Sequence, residues 1–99
     1  MLNKEQKLFL KSKANQLKAL YQLGKNDIGE THIALLDKAL TARELIKVSL
    51  LKSVEETTKE MAMIIATQTN SDIIETKGRT FVLYRRNTKD PKIALPKWK

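Results

Sequence analysis

The chain has 99 residues, and its 19 Lys and Arg residues outnumber its 11 Asp and Glu residues to give a formal net charge of +8. This length suits one domain with one hydrophobic core, and the charge predicts a polyanionic partner rather than a small-molecule substrate. The chain has no cysteine, which excludes disulfides and thiolate ligands. Its one histidine, His32, cannot form a metal site alone and has no evident partners for a catalytic triad.

The basic residues are concentrated at the two ends of the chain. Residues 1–25 hold six Lys against one Glu, and residues 77–99 hold eight Lys and Arg against one Asp. If the ends converge in the fold, they form one basic face. The segment MLNKEQK lacks the apolar core of a signal peptide, and no apolar run approaches the roughly 18 residues of a membrane span. We therefore expect a cytoplasmic protein without a membrane partner.

The first half of the chain predicts a helix, a strand and a second helix. Asn3 and Gln6 resemble a capping pair for a helix over about 4–15. On that helix Lys4, Lys7 and Lys11 fall within an arc of about 60°, facing away from the apolar stripe. The apolar run at 19–23 predicts a short buried strand that is followed by a turn over 24–27. The next helix begins at Asp27 or Gly29 and ends around residue 42.

The second half predicts a strand, a third helix and a β-hairpin. The segment LIKVSLL (45–51) is typical of an interior strand covered on both sides. Ser53 and Glu56 resemble a capping box for a helix that ends before Asn70. Residues 73–74 and 80–85, joined by a Lys77-Gly78 turn, predict the hairpin. The tail over 87–99 contains two prolines and is expected to be extended.

The predicted order is α-β-α-β-α-β-β, an α/β (α+β) class fold. Each strand-helix-strand unit favours parallel neighbouring strands, and the last two strands pair antiparallel. We therefore expect a single domain over 1–99, with a core over about 2–86, a mixed four-stranded sheet packed with helices, and a basic tail.

The candidate binding residues are the basic side chains and the glycine loop. Gly24 lies between a strand and a helix N-terminus, where backbone N–H groups can hold a phosphate, although its spacing alone favours a simple tight turn. The lysines of the first helix either bind a polyanion or form an ordinary solvated face. The basic residues at the hairpin ends either contact phosphates or protect the sheet edge from aggregation.

Three segments together resemble a known family: KSKANQLKALYQLGKNDIGE, then RELIKV, then KGRTFVLYRR with the trailing KIALP. They are similar to the CRM domain (chloroplast RNA splicing and ribosome maturation), in its bacterial single-domain YhbY-type form, from about residue 2 to 96. The sequence departs from the family pattern at Asn15, where histidine is usual, at Ala19, where proline is common, and at Gly29, where a capping side chain is usual.

The resemblance implies a fold similar to the C-terminal domain of translation initiation factor three and an RNA-binding function. For bacterial members it implies association with ribosomal RNA in precursors of the large ribosomal subunit. The family's Gly-x-x-Gly loop falls on residues 24–27 and is expected to contact the RNA backbone, with Asp27 in place of the second glycine. No enzyme activity and no cofactor are implied. The candidate RNA-binding residues are Lys4, Lys7, Lys11, Lys18, Gly24, Lys25, Asn26, Asp27, Lys77, Arg79, Arg85 and Arg86.

Two other functions are compatible with the sequence. A protein-interaction module would bind an assembly factor or a ribosomal protein through an acidic helix face or an exposed apolar patch. A peripheral binder of anionic membranes is less favoured, because the lysine-bearing helix is predicted to use its apolar face in the core.

Overall fold

A computed structural model describes residues 2–25 and 29–93 and contains, within them, three helices and four strands in the predicted order. The helices are α1 (Lys4–Ala14), α2 (Glu30–Arg43) and α3 (Thr58–Thr69). The strands are β1 (Tyr21–Leu23), β2 (Leu45–Leu50), β3 (Asp72–Lys77) and β4 (Thr80–Tyr84). The predicted fold class is confirmed. None of the helices in these two ranges is long and apolar enough to cross a bilayer.

The four strands form one mixed sheet in the order β1-β2-β4-β3. β1 pairs parallel to β2, and β4 pairs antiparallel to both β2 and β3. The prediction that β2 and β3 are neighbours is wrong, because β4 lies between them. The burial of the two strands gives the physical reason: Phe81, Val82, Leu83 and Tyr84 are all buried, whereas β3 is polar over much of its length and suits an edge.

The sheet separates two hydrophobic clusters. Ile46, Val48 and Leu50 of β2 point to one face, where they pack with buried residues of α2 and α3. Leu45 points to the other face, where it joins Leu10 of α1 and its neighbours. Two helices therefore cover one face of the sheet, and α1 alone packs on the other.

Two helix starts agree with the sequence, and one does not. The predicted capping pair Asn3–Gln6 is present, and α2 begins after Gly29, which provides no side-chain cap. The capping box of α3 is Thr57–Glu60, not Ser53–Glu56, because the Ser53 hydroxyl instead accepts a hydrogen bond from the backbone N–H of Lys25 at 3.2 Å. Hydrogen bonds from Thr57 lower the pKa of the Glu60 carboxyl. α3 ends before Asn70, as predicted.

The turn of the hairpin lies one residue later than predicted. Its central residues are Gly78 and Arg79, and Gly78 has φ +58°, a conformation in which a glycine avoids the strain of a Cβ. The carbonyl of Gly78 accepts a 2.6 Å hydrogen bond from the Thr58 hydroxyl. This bond connects the turn to the start of α3.

The tail returns to the fold instead of extending away from it. Residues 85–93 contain no helix or strand and bend at 88–90 and 92–93. The cause is Glu44, which follows α2 and is completely buried. Its carboxylate accepts hydrogen bonds from the backbone N–H groups of Asn87, Lys92 and Ile93. Residues 94–99 lie outside the described residues.

Candidate nucleic-acid interface

The sheet face that carries α1 is only partly covered. In its strand register Leu45 lies opposite Tyr84, and both are buried beneath α1. The next two rows on this face are polar and partly or fully exposed apart from Val82. We call these polar residues the open sheet face: Lys47 and Glu75 in one row, on either side of Val82, and Gln22, Ser49, Thr80 and Lys77 in the row beyond it.

Lys47 is the basic residue of this surface that was not predicted as a binding residue from the sequence. β2 is an interior strand, as predicted, but the expectation that both its faces are covered is wrong. The signal was available: Lys47 and Ser49 alternate with Ile46, Val48 and Leu50, so one face of β2 is polar beyond Leu45. The Lys47 ammonium group also lies 3.5 Å from the carbonyl oxygens of Ala14, the last residue of α1, and of Leu17.

A recess of about 310 Å³ lies where the open sheet face meets the end of α1. The side chains of Asn15, Glu75, Lys77 and Thr80 make no hydrogen bond or ion pair with any other described residue. The recess therefore presents polar groups of both charges that are available to a ligand. Its lining residues are Asn15, Lys47, Glu75, Lys77, Thr80 and Val82.

Three of the four lysines of α1 form one flank of the helix, the lysine flank: Lys4, Lys7 and Lys11. Gln6, Leu10 and Ala14 are the residues that α1 buries, and at about 100° per residue the lysines lie roughly a quarter turn from them. Lys7 borders a cleft with the start of β3, so this flank faces the β3 edge of the sheet. Lys4, Lys7 and Lys11 form no ion pair with a described residue.

Gly24 and Lys25 lie at the end of the sheet that also holds the hairpin turn. The backbone N–H of Leu51 donates to Leu23, and that of Leu50 donates to Arg79, which brings the two loops to adjacent strand ends. The Lys25 ammonium is 3.6 Å from the Glu55 carboxylate, and both side chains are largely exposed. Lys18 is exposed between α1 and β1, whereas Asn26 and Asp27 lie outside the described residues.

The arginines of the hairpin contact the protein itself. The guanidinium of Arg79 donates to the carbonyl oxygens of Leu50, Leu51 and Val54 at 3.4, 2.8 and 3.1 Å. That of Arg85 donates to the Asp37 carboxylate and to other acceptors on α2 and α3.

The predicted basic residues do not form one cluster. Six residue steps along the hairpin strand separate Arg79 from Arg85, a distance of about 20 Å. Lys77 and Arg79 lie at the Gly24 end of the sheet. Arg85 and Arg86 lie at the opposite end, where the backbone N–H of Arg85 donates to Glu44. The expectation that the basic residues form a single face is therefore wrong for Arg85 and Arg86.

Together these features define a small, basic α+β protein with two helices on one face of a mixed sheet and a partly open polar surface on the other. The sequence model of the CRS1 / YhbY (CRM) domain matches residues 2–85, and the chain belongs to this family. Within the regions that the structure describes, no group of three or more His, Asp or Glu residues could hold a metal ion.

Three similar proteins cover nearly the whole chain. The Probable RNA-binding protein YqeI of Bacillus subtilis is 40% identical over 97% of this chain and 100% of its own. An RNA-binding protein of Haemophilus influenzae is 35% identical over 97% of this chain and 96% of its own. The solution structure of the hypothetical protein SAV1595 from Staphylococcus aureus matches with a TM-score of 0.79 and 35% identity, over 97% of this chain and all of its own.

Proposed function

We propose that this protein binds RNA by its sugar-phosphate backbone, through the lysine flank of α1 and the open sheet face. The observation that carries the proposal is a set of lysines that have no carboxylate partner among the described residues: Lys4, Lys7 and Lys11 on the flank, Lys47 and Lys77 on the open sheet face, and Lys18 between α1 and β1. The names of the relatives from B. subtilis and H. influenzae support it.

The spacing of the lysines suits a polyphosphate chain. Residues three or four apart on a helix have Cβ atoms about 5–6 Å apart, so Lys4, Lys7 and Lys11 form a row of charges on one flank. An ammonium group on a long, flexible stem can follow an irregular backbone, and each neutralised phosphate releases counterions. Gly24 and Lys25 extend this surface at the end of the sheet. Arg85 and Arg86 contribute only if the RNA reaches the opposite end.

The RNA in question is proposed to be ribosomal RNA in precursors of the large ribosomal subunit. This part of the proposal rests on the resemblance to YhbY-type proteins, and crosslinking in cells tests it directly. Ultraviolet crosslinking followed by sequencing should recover large-subunit precursor RNA above all other transcripts. Recovery spread evenly over many transcripts would contradict the ribosomal role and would leave RNA binding intact.

Salt dependence tests the backbone contacts. If about five phosphates are neutralised on single-stranded RNA, a plot of log K against log salt has a slope near −3.5. Replacing Lys7 and Lys11 by glutamate should reduce its steepness to about −2 and weaken binding to all RNA sequences alike. The matched control is Lys38→Glu with Lys59→Glu, which makes the same charge change on the two helices of the opposite sheet face. If both double variants lose the same RNA affinity, the lysine flank of α1 is not the RNA-binding surface.

One apolar patch supports the competing function of a protein-interaction module. Leu35 on α2 is 53% exposed and, with Ala34 and His32, borders a shallow depression on the face away from the lysine flank. Leu35→Asp should leave RNA affinity unchanged if RNA is the partner. A flat salt slope, together with loss of a protein partner from pull-downs of the Leu35 variant, would favour the interaction module.

A further inference from the structure

Glu75 is an unexpected side chain on a surface that binds phosphate. It lies in the recess of the open sheet face, in one cross-strand row with Lys47, and two residues from Lys77 on the same strand. Its carboxylate forms no ion pair within 4.0 Å and no hydrogen bond with any described residue. A carboxylate that neutralises no lysine here weakens phosphate binding, so its presence calls for a different ligand group.

We infer that the recess binds the Watson–Crick edge of an unpaired guanine, with the Glu75 carboxylate as its acceptor. This inference rests on the proposed RNA-binding function. Guanine presents two adjacent donors, N1–H and the N2 amino group, and a carboxylate has two oxygens that can accept both at once. Uracil presents one donor between two carbonyl oxygens, and adenine and cytosine each present one amino group beside an acceptor nitrogen. Only guanine satisfies both oxygens of Glu75.

The other residues of the recess complete this pattern. The guanine O6 atom lies next to N1–H and is an acceptor, and Lys47 or Lys77 beside Glu75 can donate to it. Val82 lies between Lys47 and Glu75 in the sheet register and gives the recess an apolar floor against which a base can pack. Asn15 and Thr80 offer further hydrogen bonds at the rim. A volume of about 310 Å³ is at the lower end of the range of ligand pockets, which suits one base rather than a larger group.

Base readout is expected in a single-stranded segment or loop. In A-form RNA helices the deep major groove is closed to side chains, so sequence-specific proteins recognise bases that are unpaired and exposed. The phosphates on either side of the guanine would then lie near the lysines of the open sheet face and the flank of α1. The recess thereby places one specific contact within a surface of non-specific ones.

The first experiment uses the wild-type protein and oligouridine RNAs that carry a single variable base at the centre. Fluorescence anisotropy at fixed salt should give binding about ten-fold tighter for guanine than for adenine, within the range known for one bidentate base contact. Inosine keeps N1–H and O6 but lacks the N2 amino group, so it should bind about three-fold weaker than guanine. Equal affinity for guanine, inosine and adenine would overturn the inference.

The second experiment compares Glu75→Gln with Glu30→Gln. Both variants remove one negative charge, and Glu30 is exposed in the first turn of α2, away from the recess. Both should bind oligouridine slightly tighter, because each lowers repulsion of the phosphates. Only Glu75→Gln should lose the preference for guanine, to within about two-fold of adenine. A Glu75→Gln variant that retains the ten-fold preference would overturn the inference.

The two proposals fail in different ways. If every RNA binds with a steep salt slope but without a preference among bases, the guanine site is refuted and RNA binding stands. If no RNA binds at any salt concentration, the proposed function itself fails. Circular dichroism of both variants shows whether they are folded, and the inosine comparison with the wild type gives the result independently of any variant.

Discussion

Replacing Glu44 by glutamine tests the connection between the tail and the core. Glu44 is completely buried at the end of α2 and has φ +65°, a conformation that glutamine must also adopt. One carboxylate oxygen accepts from the backbone N–H groups of Lys92 and Ile93, and the other accepts from that of Asn87 at 2.6 Å. Glutamine keeps the shape and one acceptor oxygen, but it places an NH₂ group against at least one of these N–H donors.

The cost follows from the number of hydrogen bonds affected. A hydrogen bond to a charged group contributes about 1.5–3 kcal/mol, and an unpaired buried donor costs a similar amount. One bond is lost in Glu44→Gln and the other two lose their charge, so the free energy of unfolding should fall by about 2–4 kcal/mol. For a domain of this size the expected decrease in Tm is roughly 10–20 °C.

Urea unfolding followed by circular dichroism measures this change, with Glu30→Gln as the control for loss of one negative charge. The control loses only a favourable contact with a helix N-terminus and should cost less than about 1 kcal/mol. Amide exchange at Lys92 and Ile93 should accelerate in Glu44→Gln alone. If the two variants lose equal stability, or if these amides stay protected, the tail is not held by the Glu44 carboxylate.

Three further predictions concern the sheet and its hairpin. Arg79→Ala should lower the free energy of unfolding by about 2 kcal/mol, because it leaves backbone carbonyls without donors. Lys77→Ala should weaken RNA binding and leave the stability unchanged. Urea unfolding measures the first effect, and fluorescence anisotropy with RNA measures the second. Tyr84→Phe should be neutral or stabilising by up to about 1 kcal/mol at pH 7, because the buried hydroxyl has no hydrogen-bond partner among the described residues. Burial raises the pKa of Tyr84 from 10.0 to about 12, with a smaller contribution from the negative charge of Glu44, so folding opposes ionisation of the hydroxyl. The wild type should therefore keep its full stability below pH 10 and lose part of it as the pH rises toward 12. Tyr84→Phe should not show this loss. Gly78→Ala should cost about 1 kcal/mol through its positive φ alone, since a Cβ there meets no atom within 4 Å, and a larger loss of Tm would contradict this account.

The order of elements could be predicted because each depends on local patterns. Hydrophobic periodicity marked α2 and α3, the Asn3–Gln6 pair marked the start of α1, and Gly78 marked the hairpin. The strand order could not be predicted in the same way. β4 lies between β2 and β3 because it is apolar on both faces. This can be predicted only by comparing the burial of all four strands within one sheet, and not from the pattern of a single strand.

The capping box of α3 shows how a correct rule selects the wrong residues. Ser53 and Glu56 satisfy the same spacing as Thr57 and Glu60. The choice depends on the backbone N–H of Lys25, a distant donor in sequence, which occupies the Ser53 hydroxyl. Local patterns propose candidates for a cap, and long-range hydrogen bonds decide between them.

The same argument separates the basic residues of the candidate site. In the sequence, Lys77, Arg79 and Arg85 each add one positive charge and are equal candidates for binding. A guanidinium has five donors and can satisfy several backbone carbonyls at once. Both arginines donate to backbone carbonyls in this way. An ammonium group on the exposed end of a strand has no such set of acceptors, and Lys77 keeps its charge available. Net charge therefore predicted the kind of partner, whereas the hydrogen bonds of each cation determine which residues can meet it. Glu75 has no cation within ion-pair distance among the described residues, so its carboxylate stays available to a ligand, as the inferred guanine site requires.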